Sequence, residues 1–574
     1  MLPRVCKHCG SEFVVTDRDL AFFEKISPVF GAKKYLIPPP TLCPECRFQR
    51  RACHRNERNF YLRKCSSAGD DIVTIYSPDK NIPVYQSKIW WSDKWSALSY
   101  GRDFDFSRGF FEQWKELRDV VPRLQLLAKN SQNADYTNHA AGNKNCYLST
   151  AVFQCEDVYY SRKVFASKSL LDCLYIFGES ELLYECYWGD KLYDCQYCDF
   201  CSNSRNLKYC FDCKGCSDCF LSSNLRNKQY MFRNQKLSKE AYELKMKEFE
   251  SMDFNERENV RKEFELMCKE SIHPALHNEN VEESEGDFLN SCKQVHDSYY
   301  CFFGERLRYC FECDPSSKLS TSRGCMDCFG FGSSELLYEV QAQTQGYNNQ
   351  FCMLSYEISD CMYCDMCFNV KHCFGCVGLH SHEEYCVLNK QYSREEYELL
   401  VSKIIENMGG AFIVDRLSNM EGNSHESKNM SINDKRTTIN EYGEFFPSSL
   451  SLFAYNESVA QEYHSLSEAE ALQQGFDWKK TELNQNQSSE CLTCKVCSKL
   501  YRILAPEELL YKKMGMNIPM CCPNCRYEER SRKRNSRQMF ERSCAKCQKN
   551  IQSSYSLNQV AKVYCEACYL ELVY

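Results

Sequence analysis

The chain has 574 residues, which excludes a single small domain and predicts roughly three to five folded units. Its 71 basic and 78 acidic residues give a net charge of -7, which excludes a global positive field that would attract nucleic acid. Many of its 41 cysteines form C-x-x-C pairs, a spacing typical of metal ligation in a reducing compartment. No apolar signal segment precedes Cys6 and no stretch approaches the roughly 18 apolar residues of a membrane span, so we expect a cytoplasmic protein without a membrane partner.

The N-terminal segment presents four cysteines as two spaced pairs. CKHCG supplies Cys6 and Cys9, and LCPECRFQRR supplies Cys43 and Cys46. Zinc takes four tetrahedral ligands, and two C-x-x-C turns complete such a structural site. Pro44 and the Arg-rich run after it predict that the second pair begins a helix, as in treble-clef modules.

The middle of the chain is a tandem duplication. ESELLYEC at 179–186 recurs as SSELLYEV at 333–340, and the flanking cysteines recur at offsets of 154 or 155 residues. Within each copy many cysteines are nine residues apart and precede an aromatic residue. Short regular repeats of this kind predict stacked coils, so we predict two cysteine-rich β-solenoid blocks joined by a helical hairpin.

The repeat cysteines have two interpretations. In the first, they are small buried residues that form an interior ladder. In the second, cysteines spaced by three residues bring thiols together and bind additional metal ions. The candidates for this second role are Cys195, Cys198, Cys201, Cys210, Cys213, Cys216, Cys219, Cys361, Cys364, Cys367, Cys373 and Cys376.

The C-terminal segment repeats the N-terminal plan. CKVC and CCPNCRYEER predict a second zinc site with the ligands Cys494, Cys497, Cys522 and Cys525. SCAKC and VYCEAC predict a third site with the ligands Cys544, Cys547, Cys565 and Cys568. About three structural zinc ions are therefore expected.

The repetition extends beyond the ligands of the first site. RNERNFYLRKC aligns without a gap to RNSRQMFERSC at an offset of 479 residues, which matches Cys65 to Cys544. Where the third site has its other three cysteines, the N-terminal copy reads Ala68 and then VYQSKI, so these ligands are absent. We expect this second N-terminal lobe to hold its shape without zinc.

The predicted fold is multidomain α+β and rich in β-structure, with zinc-ribbon or treble-clef modules at both ends. The predicted segments are 1–70 (N-terminal zinc module with a degenerate second lobe), 71–130 (aromatic-rich connector), 131–235 (first block), 236–288 (helical connector), 289–403 (second block with a terminal helix), 404–440 (linker), 441–478 (small folded or docking element), 479–490 (linker) and 491–574 (two zinc ribbons).

The Arg-rich runs after the first ribbon at each end are the clearest functional feature. Residues 47–64 hold seven basic residues and one acidic residue, and residues 526–542 hold seven basic and three acidic residues. Guanidinium groups suit phosphate, so RNA or a ribonucleoprotein is the first candidate partner. The predicted contact residues are Arg47, Arg50, Arg51, Arg55, Arg58, Arg530, Arg532, Lys533, Arg534 and Arg537.

Motifs of known catalytic chemistry are missing from the sequence. It contains no phosphate-binding loop, no nucleophile elbow and no zinc-protease helix, and no pattern supports a coenzyme A-transferase activity. We therefore expect a non-enzymatic zinc-binding protein that acts as a nucleic-acid-binding or scaffold factor. The first alternative is a protein–protein scaffold without nucleic acid, and the second is a metal- or thiol-dependent enzyme with no assignable catalytic residue.

One resemblance supports the metal assignment. CKHCGSEFVVTDRDLAFFEK with LCPECRFQRR resembles the family of small zinc-ribbon, treble-clef domains. The wider layout is similar to uncharacterised bacterial proteins that join such a ribbon to cysteine repeats. The resemblance implies zinc at Cys6, Cys9, Cys43 and Cys46, and it implies no activity.

Overall fold

The computed structural model describes residues 1–313, 321–330, 332–414, 441–480, 491–560 and 562–574. Most of the two linkers predicted at 404–440 and 479–490 lies outside these described residues.

The N-terminal module consists of short hairpins and two helices. Its strands are β1 (Leu2–Val5), β2 (Glu12–Val15), β3 (Val29–Phe30), β4 (Lys33–Tyr35), β5 (Tyr61–Lys64), β6 (Asp71–Thr74) and β7 (Val84–Tyr85), and its helices are α1 (Asp17–Ile26) and α2 (Pro44–Cys53). β1 pairs with β2 and β5 with β6, both antiparallel, so each hairpin encloses one cysteine turn. Cys43 is the N-cap of α2 and Pro44 is its first residue, as the sequence predicts.

A connector packed with aromatic side chains follows. It contains α3 (Ser87–Trp90), a 3-10 turn (Ala97–Tyr100), α4 (Phe110–Val120), β8 (Arg123–Leu124) and β9 (Ala128–Lys129). Trp90, Phe110 and Trp114 are fully buried in an apolar core that also holds Tyr363 and Phe446. The aromatic side chains therefore join the N-terminal module to the second block.

The first block is a parallel sheet. Its strands are β10 (Tyr136–Asn138), β11 (Ala140–Ala141), β12 (Tyr147–Phe153), β13 (Glu156–Tyr159), β14 (Arg162–Phe165), β15 (Lys168–Leu171), β16 (Leu174–Phe177), β17 (Glu181–Tyr184), β18 (Tyr187–Asp199), β19 (Ser202–Phe211), β20 (Ser217–Ser223), β21 (Gln229–Phe232) and β22 (Gln235–Lys236). Only the last pair, β21 with β22, is antiparallel.

Seven parallel strands of this sheet close on themselves. Pairing runs from β16 through β14, β12, β13, β15 and β17 to β18, and β18 pairs back to β16. Because every strand of this ring has two neighbours, it forms a closed seven-stranded parallel barrel. The prediction of a β-solenoid is therefore wrong.

The interior of the block follows a period of three residues. Cys195, Cys198, Cys201 and Leu207 all belong to one buried cluster, and the intervals between them are multiples of three residues. Cys210, Cys213, Cys216 and Cys219 continue the same period in that cluster. Paired positions such as Cys198 and Cys210 are twelve residues apart, not nine. The residue before an inward-facing one commonly has a positive φ, for example 52° at Tyr197, a backbone conformation that turns the chain sharply.

The second block has shorter strands, and most of their parallel pairs keep the twelve-residue register. Gly304 and Ser322 pair at a larger separation, and the last pair of strands is antiparallel. The strands are β24 (Gly286–Asn290), β25 (Ser298–Phe302), β26 (Gly304–Glu305), β27 (Ser322–Arg323), β28 (Glu335–Tyr338), β29 (Tyr347–Gln350), β30 (Lys371–Phe374), β31 (Glu384–Val387) and β32 (Lys390–Gln391). The strand before them, β23 (His273–Pro274), pairs instead with Val563–Tyr564 of the C-terminal part. Isolated bridges such as Met326 to Tyr338 continue the register between strands. A second cluster of inward-facing cysteines, leucines and valines fills this block.

Helices cover the ends of the blocks. They are α5 (Lys239–Glu250), α6 (Phe254–Glu270) and α7 (Arg394–Asn407), and β33 (Phe412–Val414) follows α7. Tyr242 and Phe249 of α5 and Val260 and Phe264 of α6 pack together against the aromatic side chains of the first block. Ser393 and Glu396 close the predicted capping box at the start of α7.

The C-terminal part returns across the molecule. It contains 3-10 turns at Ser448–Leu450 and Tyr455–Glu457, the helices α8 (Ala460–Tyr463), α9 (Glu468–Gln473), α10 (Ala505–Lys513), α11 (Pro523–Ser531) and α12 (Glu566–Val573), and the strands β34 (Leu492–Thr493), β35 (Leu500–Tyr501), β36 (Phe540–Ser543), β37 (Asn550–Ser553) and β38 (Val563–Tyr564). Leu510, Tyr511 and Met514 pack on Tyr160 and Tyr184 of the first block. The N-terminal module therefore sits on the second block, and the C-terminal module sits on the first.

Candidate metal centres and the docked arginine helices

Four cysteines of the N-terminal module form the first candidate metal centre. The β1–β2 turn carries Cys6 and Cys9, and the start of α2 carries Cys43 and Cys46. Their four Sγ atoms lie within 4.8 Å of one another, and those of Cys9 and Cys43 are 3.7 Å apart. Tetrahedral ligands about 2.3 Å from a zinc ion would be separated by about 3.8 Å. The geometry therefore fits a metal bound by four thiolates.

The C-terminal module contains the other two centres. Cys494, Cys497, Cys522 and Cys525 form one group, with Sγ atoms of Cys497 and Cys522 3.6 Å apart. The other group contains Cys547 and Cys565, whose Sγ atoms are 3.7 Å apart, together with Cys544 and Cys568. The structure thus brings together all twelve of the predicted end-module ligands, in three groups of four that could hold a metal ion.

Backbone amides donate hydrogen bonds to sulfur atoms of these centres. The amide of Cys522 donates to Sγ of Cys494 at 3.2 Å, and the amide of Cys565 donates to Sγ of Cys544 at 3.3 Å. Burial raises the pKa of the Cys494 thiol, but hydrogen bonds from backbone amides outweigh burial and lower this pKa to about 6. The same balance lowers the pKa of Cys544 to about 6. Thiolates, the form that binds metal, are therefore favoured at these positions.

The second N-terminal lobe keeps the ligand turn with only one of the four cysteines, Cys65. The amide of Gln86 donates to Sγ of Cys65 at 3.4 Å, which matches the bond from Cys565 to Cys544 in the third centre. The amide of Gly69 donates to the carbonyl of Cys65 as that of Gln548 does to Cys544. Gln86 stands where the third centre has Cys565, at the offset of 479 residues. The lobe therefore keeps the fold of the turn although three of the four ligand positions are not cysteine.

The repeat cysteines do not assemble further centres. Among the described residues, groups of three or more candidate ligand atoms within 4.8 Å occur only at the three end sites. The thiol of Cys198 instead donates to the carbonyls of Gln196 at 3.4 Å and Leu207 at 3.5 Å. The interpretation of these cysteines as ligands of additional metal ions therefore finds no group of ligand atoms in the described residues. Period-three packing accounts for their C-x-x-C spacing, in line with the alternative of an interior ladder.

The predicted nucleic-acid contacts are largely committed to the protein itself. Nε of Arg47 binds the Asp327 carboxylate at 2.8 Å, and Arg51 binds the same carboxylate at 3.4 Å. All three side chains are at most 2% exposed. Arg50 pairs with Glu339 at 2.8 Å in the same interface. Burial alone would lower the pKa of Arg47, but electrostatic attraction to Asp327 and its neighbours raises this pKa above its ordinary value.

The C-terminal run makes the same contacts with the first block. Arg526 and Arg530 bind the buried Asp172 at 3.0 and 2.8 Å, and Arg530 also pairs with Glu185 at 3.0 Å. Lys533 binds Asp199 at 3.0 Å. Three of the remaining predicted contacts also form ion pairs with the protein: Arg55, Arg534 and Arg537. Arg58 lies against Tyr527 and Asn524. The last of them, Arg532, is exposed.

Sequence reasoning missed the carboxylates of these interfaces. Asp172 and Asp327 are related by the duplication offset of 155 residues, and Glu185 and Glu339 by 154. Each aspartate precedes a cysteine, in LDCLYI and in MDCFGF. The recurrence of acidic residues at the same offset as the cysteines was the available signal.

Comparisons with known proteins identify no family. No family model and no curated protein matches the chain. A solved structure from Desulfovibrio desulfuricans G20, named a "putative acetyltransferase", is similar over 45% of this chain and 67% of its own, with 10% identity and a TM-score of 0.10. A likeness at this level carries no argument about fold or activity. In the described part of the chain, no helix is long and apolar enough to cross a membrane.

Proposed function

We propose that this protein is a non-enzymatic zinc protein that acts as a scaffold for protein partners. The observation that carries the proposal is the burial of the two arginine helices against the blocks. With Arg47, Arg51, Arg526 and Arg530 paired to buried carboxylates, the groups best suited to phosphate are already engaged. Binding nucleic acid through them would leave Asp172 and Asp327 buried without partners, which is costly.

Zinc is the metal proposed for the three centres. Four thiolates in tetrahedral reach favour zinc, and a closed set of protein ligands is typical of a structural site. The resemblance of the N-terminal segment to small zinc-ribbon domains supports the same choice. When bound, zinc would fix the turns that begin α2, α11 and α12, and these helices carry the contacts to the blocks.

The exposed side of the ribbons supports a protein partner. The hairpin of β34 and β35 leaves Leu492, Val496 and Leu500 exposed by 41, 71 and 40%. Val5 and Val14 are similarly exposed on the hairpin of β1 and β2. Apolar side chains grouped on a small rigid element favour protein contact over phosphate contact.

The test isolates the tagged full chain gently at low and high salt and identifies everything that copurifies. We expect protein partners that persist at high salt and a 260 to 280 nm absorbance ratio typical of protein alone. The double variant Val5→Lys, Val496→Lys should lose these partners, whereas Leu399→Lys, at a residue 59% exposed on α7, should retain them.

Two results would reverse the proposal. Nucleic acid that copurifies at low salt and is released at high salt would favour the nucleic-acid alternative. Charge reversal at the exposed Arg532 should then weaken binding. Catalytic turnover by the purified protein would instead support an enzyme.

A further inference from the structure

The two end modules contact each other through a reciprocal pair of stacked arginines. The guanidinium of Arg58 lies 3.2 Å from the ring centroid of Tyr527, and that of Arg537 lies 3.5 Å from the ring centroid of Phe48. Arg58 and Arg537 are equivalent at the offset of 479 residues, and so are Phe48 and Tyr527. The same contact is therefore made twice, with the modules exchanged.

The two copies differ in the charge that faces the guanidinium. Arg537 forms an ion pair with Glu45 at 2.8 Å. Arg58 instead donates to the amide oxygen of Asn524 at 3.2 Å, and Asn524 occupies the position equivalent to Glu45. Among the described residues, no carboxylate lies within 4.0 Å of the Arg58 guanidinium. Arg58 therefore lacks the counter-charge that its equivalent has.

The carboxylate of Glu462 does not fill this gap. It attracts Arg58 from a greater distance, but its oxygen accepts from the Tyr527 hydroxyl at 2.9 Å and pairs with Arg534 at 3.2 Å. The positive charge of Arg58 is therefore balanced only by carboxylates that do not contact its guanidinium group.

A small cavity opens beside Arg58. It has a volume of about 30 Å³ and is lined in part by Thr150, Ser161, Arg162 and Asn524. Its lining includes two arginines and no acidic residue. Because Arg162 is already paired with Glu57 at 2.7 Å and Glu312 at 2.6 Å, the uncompensated charge at the cavity belongs to Arg58.

We infer that this cavity is a binding site for the oxyanion of a phosphate or carboxylate ligand. An oxygen of the ligand takes the place that the Glu45 carboxylate has in the reciprocal contact. The planar guanidinium of Arg58 donates to it, and the amide group of Asn524 lies in the same lining. The hydroxyls of Thr150 and Ser161 already donate to the carbonyls of Glu57 and Tyr159, so Arg58 and Asn524 are the donors to the ligand. The ligand would then bridge the N-terminal module, the first block and α11.

The experiment measures binding of inorganic phosphate and of acetate to the full-length zinc-loaded chain by isothermal titration calorimetry, at constant ionic strength set with chloride. We expect one site per chain, with a Kd in the millimolar range or tighter, for at least one of the two anions. Arg58→Gln should weaken binding by at least about tenfold, because it removes the charged donor.

Two matched variants exchange the difference between the copies. Asn524→Glu places a carboxylate beside Arg58, as Glu45 stands beside Arg537, and should abolish anion binding. Its carboxylate in the first turn of α11 also favours the helix, so the module should remain folded. Glu45→Asn removes the carboxylate from the other copy, where Arg537 is packed on Phe48, and as the control should leave anion binding at Arg58 unchanged.

Either of two results would overturn the inference. One is that neither phosphate nor acetate binds the wild-type chain in the millimolar range. The other is that Asn524→Glu binds the anion as well as the wild type does while retaining its three zinc ions. Phosphate binding alone would identify a phosphate ligand, and acetate binding alone would identify a carboxylate.

Discussion

The lobe at 60–90 and the third metal centre have the same turn but different supports. In the lobe, Cys65 belongs to an apolar cluster of eight buried residues that includes Ile72, Tyr76 and Val84. The third centre keeps four cysteines, and the apolar cluster beside it has only four buried residues, among them Tyr555 and Val563. We therefore expect the larger apolar cluster around Cys65 to stabilise this lobe in place of a structural metal.

Removal of zinc should have the largest effect, and it should change the stability of the third centre but not that of the lobe. Structural zinc in small modules contributes on the order of 10 to 16 kcal/mol, so a strong chelator should unfold the third centre. The lobe at 60–90 should keep its structure because Cys65 is held by packing. Hydrogen exchange followed by mass spectrometry would compare amide protection in β36–β38 with that in β5–β7.

The matched control for this experiment is the untreated protein, in which both regions should be protected. Equal loss of protection in both regions after chelation would show that the lobe depends on the metal sites. Unchanged protection in β36–β38 would show that the third centre has no structural metal.

Loss of one interface carboxylate should release one module and leave the other in place. Asp327→Ala removes the buried carboxylate shared by Arg47 and Arg51, and Asp172→Ala removes the one shared by Arg526 and Arg530. Breaking a buried pair in this way costs about 3 to 5 kcal/mol. The opening free energy from hydrogen exchange should fall in α2 for the first variant and in α11 for the second.

An ion pair on the surface provides the control for these two substitutions. Lys144 and Glu156 are 2.9 Å apart with half-exposed side chains, so Glu156→Ala should cost less than about 1 kcal/mol. If Asp327→Ala loosened the C-terminal module as much as the N-terminal one, the two interfaces would not be independent.

Substitution of an inward-facing repeat cysteine should have the smallest effect. The hydroxyl of Ser204 donates to the carbonyls of Ser202 and Cys213, which are two residues before it and nine residues after it in the sequence. The thiol of Cys198 donates to carbonyls at the same two sequence positions relative to itself. Cys198→Ser should therefore retain the bonds, cost about 1 kcal/mol and leave the metal content unchanged. Loss of a metal ion in Cys198→Ser, measured by elemental analysis, would revive the interpretation of a metal site in the block.

Much of the candidate site was readable from the sequence, because metal ligation imposes local spacing. C-x-x-C pairs identified the twelve cysteines that the structure brings into three groups able to hold a metal ion, and the offset of 479 residues identified the lobe that keeps only one of the four cysteines. The partners of the arginine side chains could not be predicted in this way. Arg47 and Asp327 are 280 residues apart, and a basic run looks the same whether it faces phosphate or a buried carboxylate.

The architecture of the blocks was missed for a related reason. Intervals of three, nine and twelve residues are all multiples of the inward-facing period, so the cysteines alone cannot define which strands pair. The ring closes through the pairing of β16 with β18, a relation between strands that leaves no mark on either sequence. Repetition predicted regular packing, but it did not specify the closed barrel.

The two ends of the chain should differ by one metal site, and the number of zinc ions per chain measures this difference. Elemental analysis of the dialysed protein should find three zinc ions, one for each group of four cysteines. Cys497→Ser should lower the count by one, and the triple variant Ala68→Cys, Gln86→Cys, Ile89→Cys should raise it by one, because these positions match the missing ligands. Fewer than three ions in the wild type, or no additional ion in the triple variant, would contradict the account of two matching ends that differ by one lost metal site.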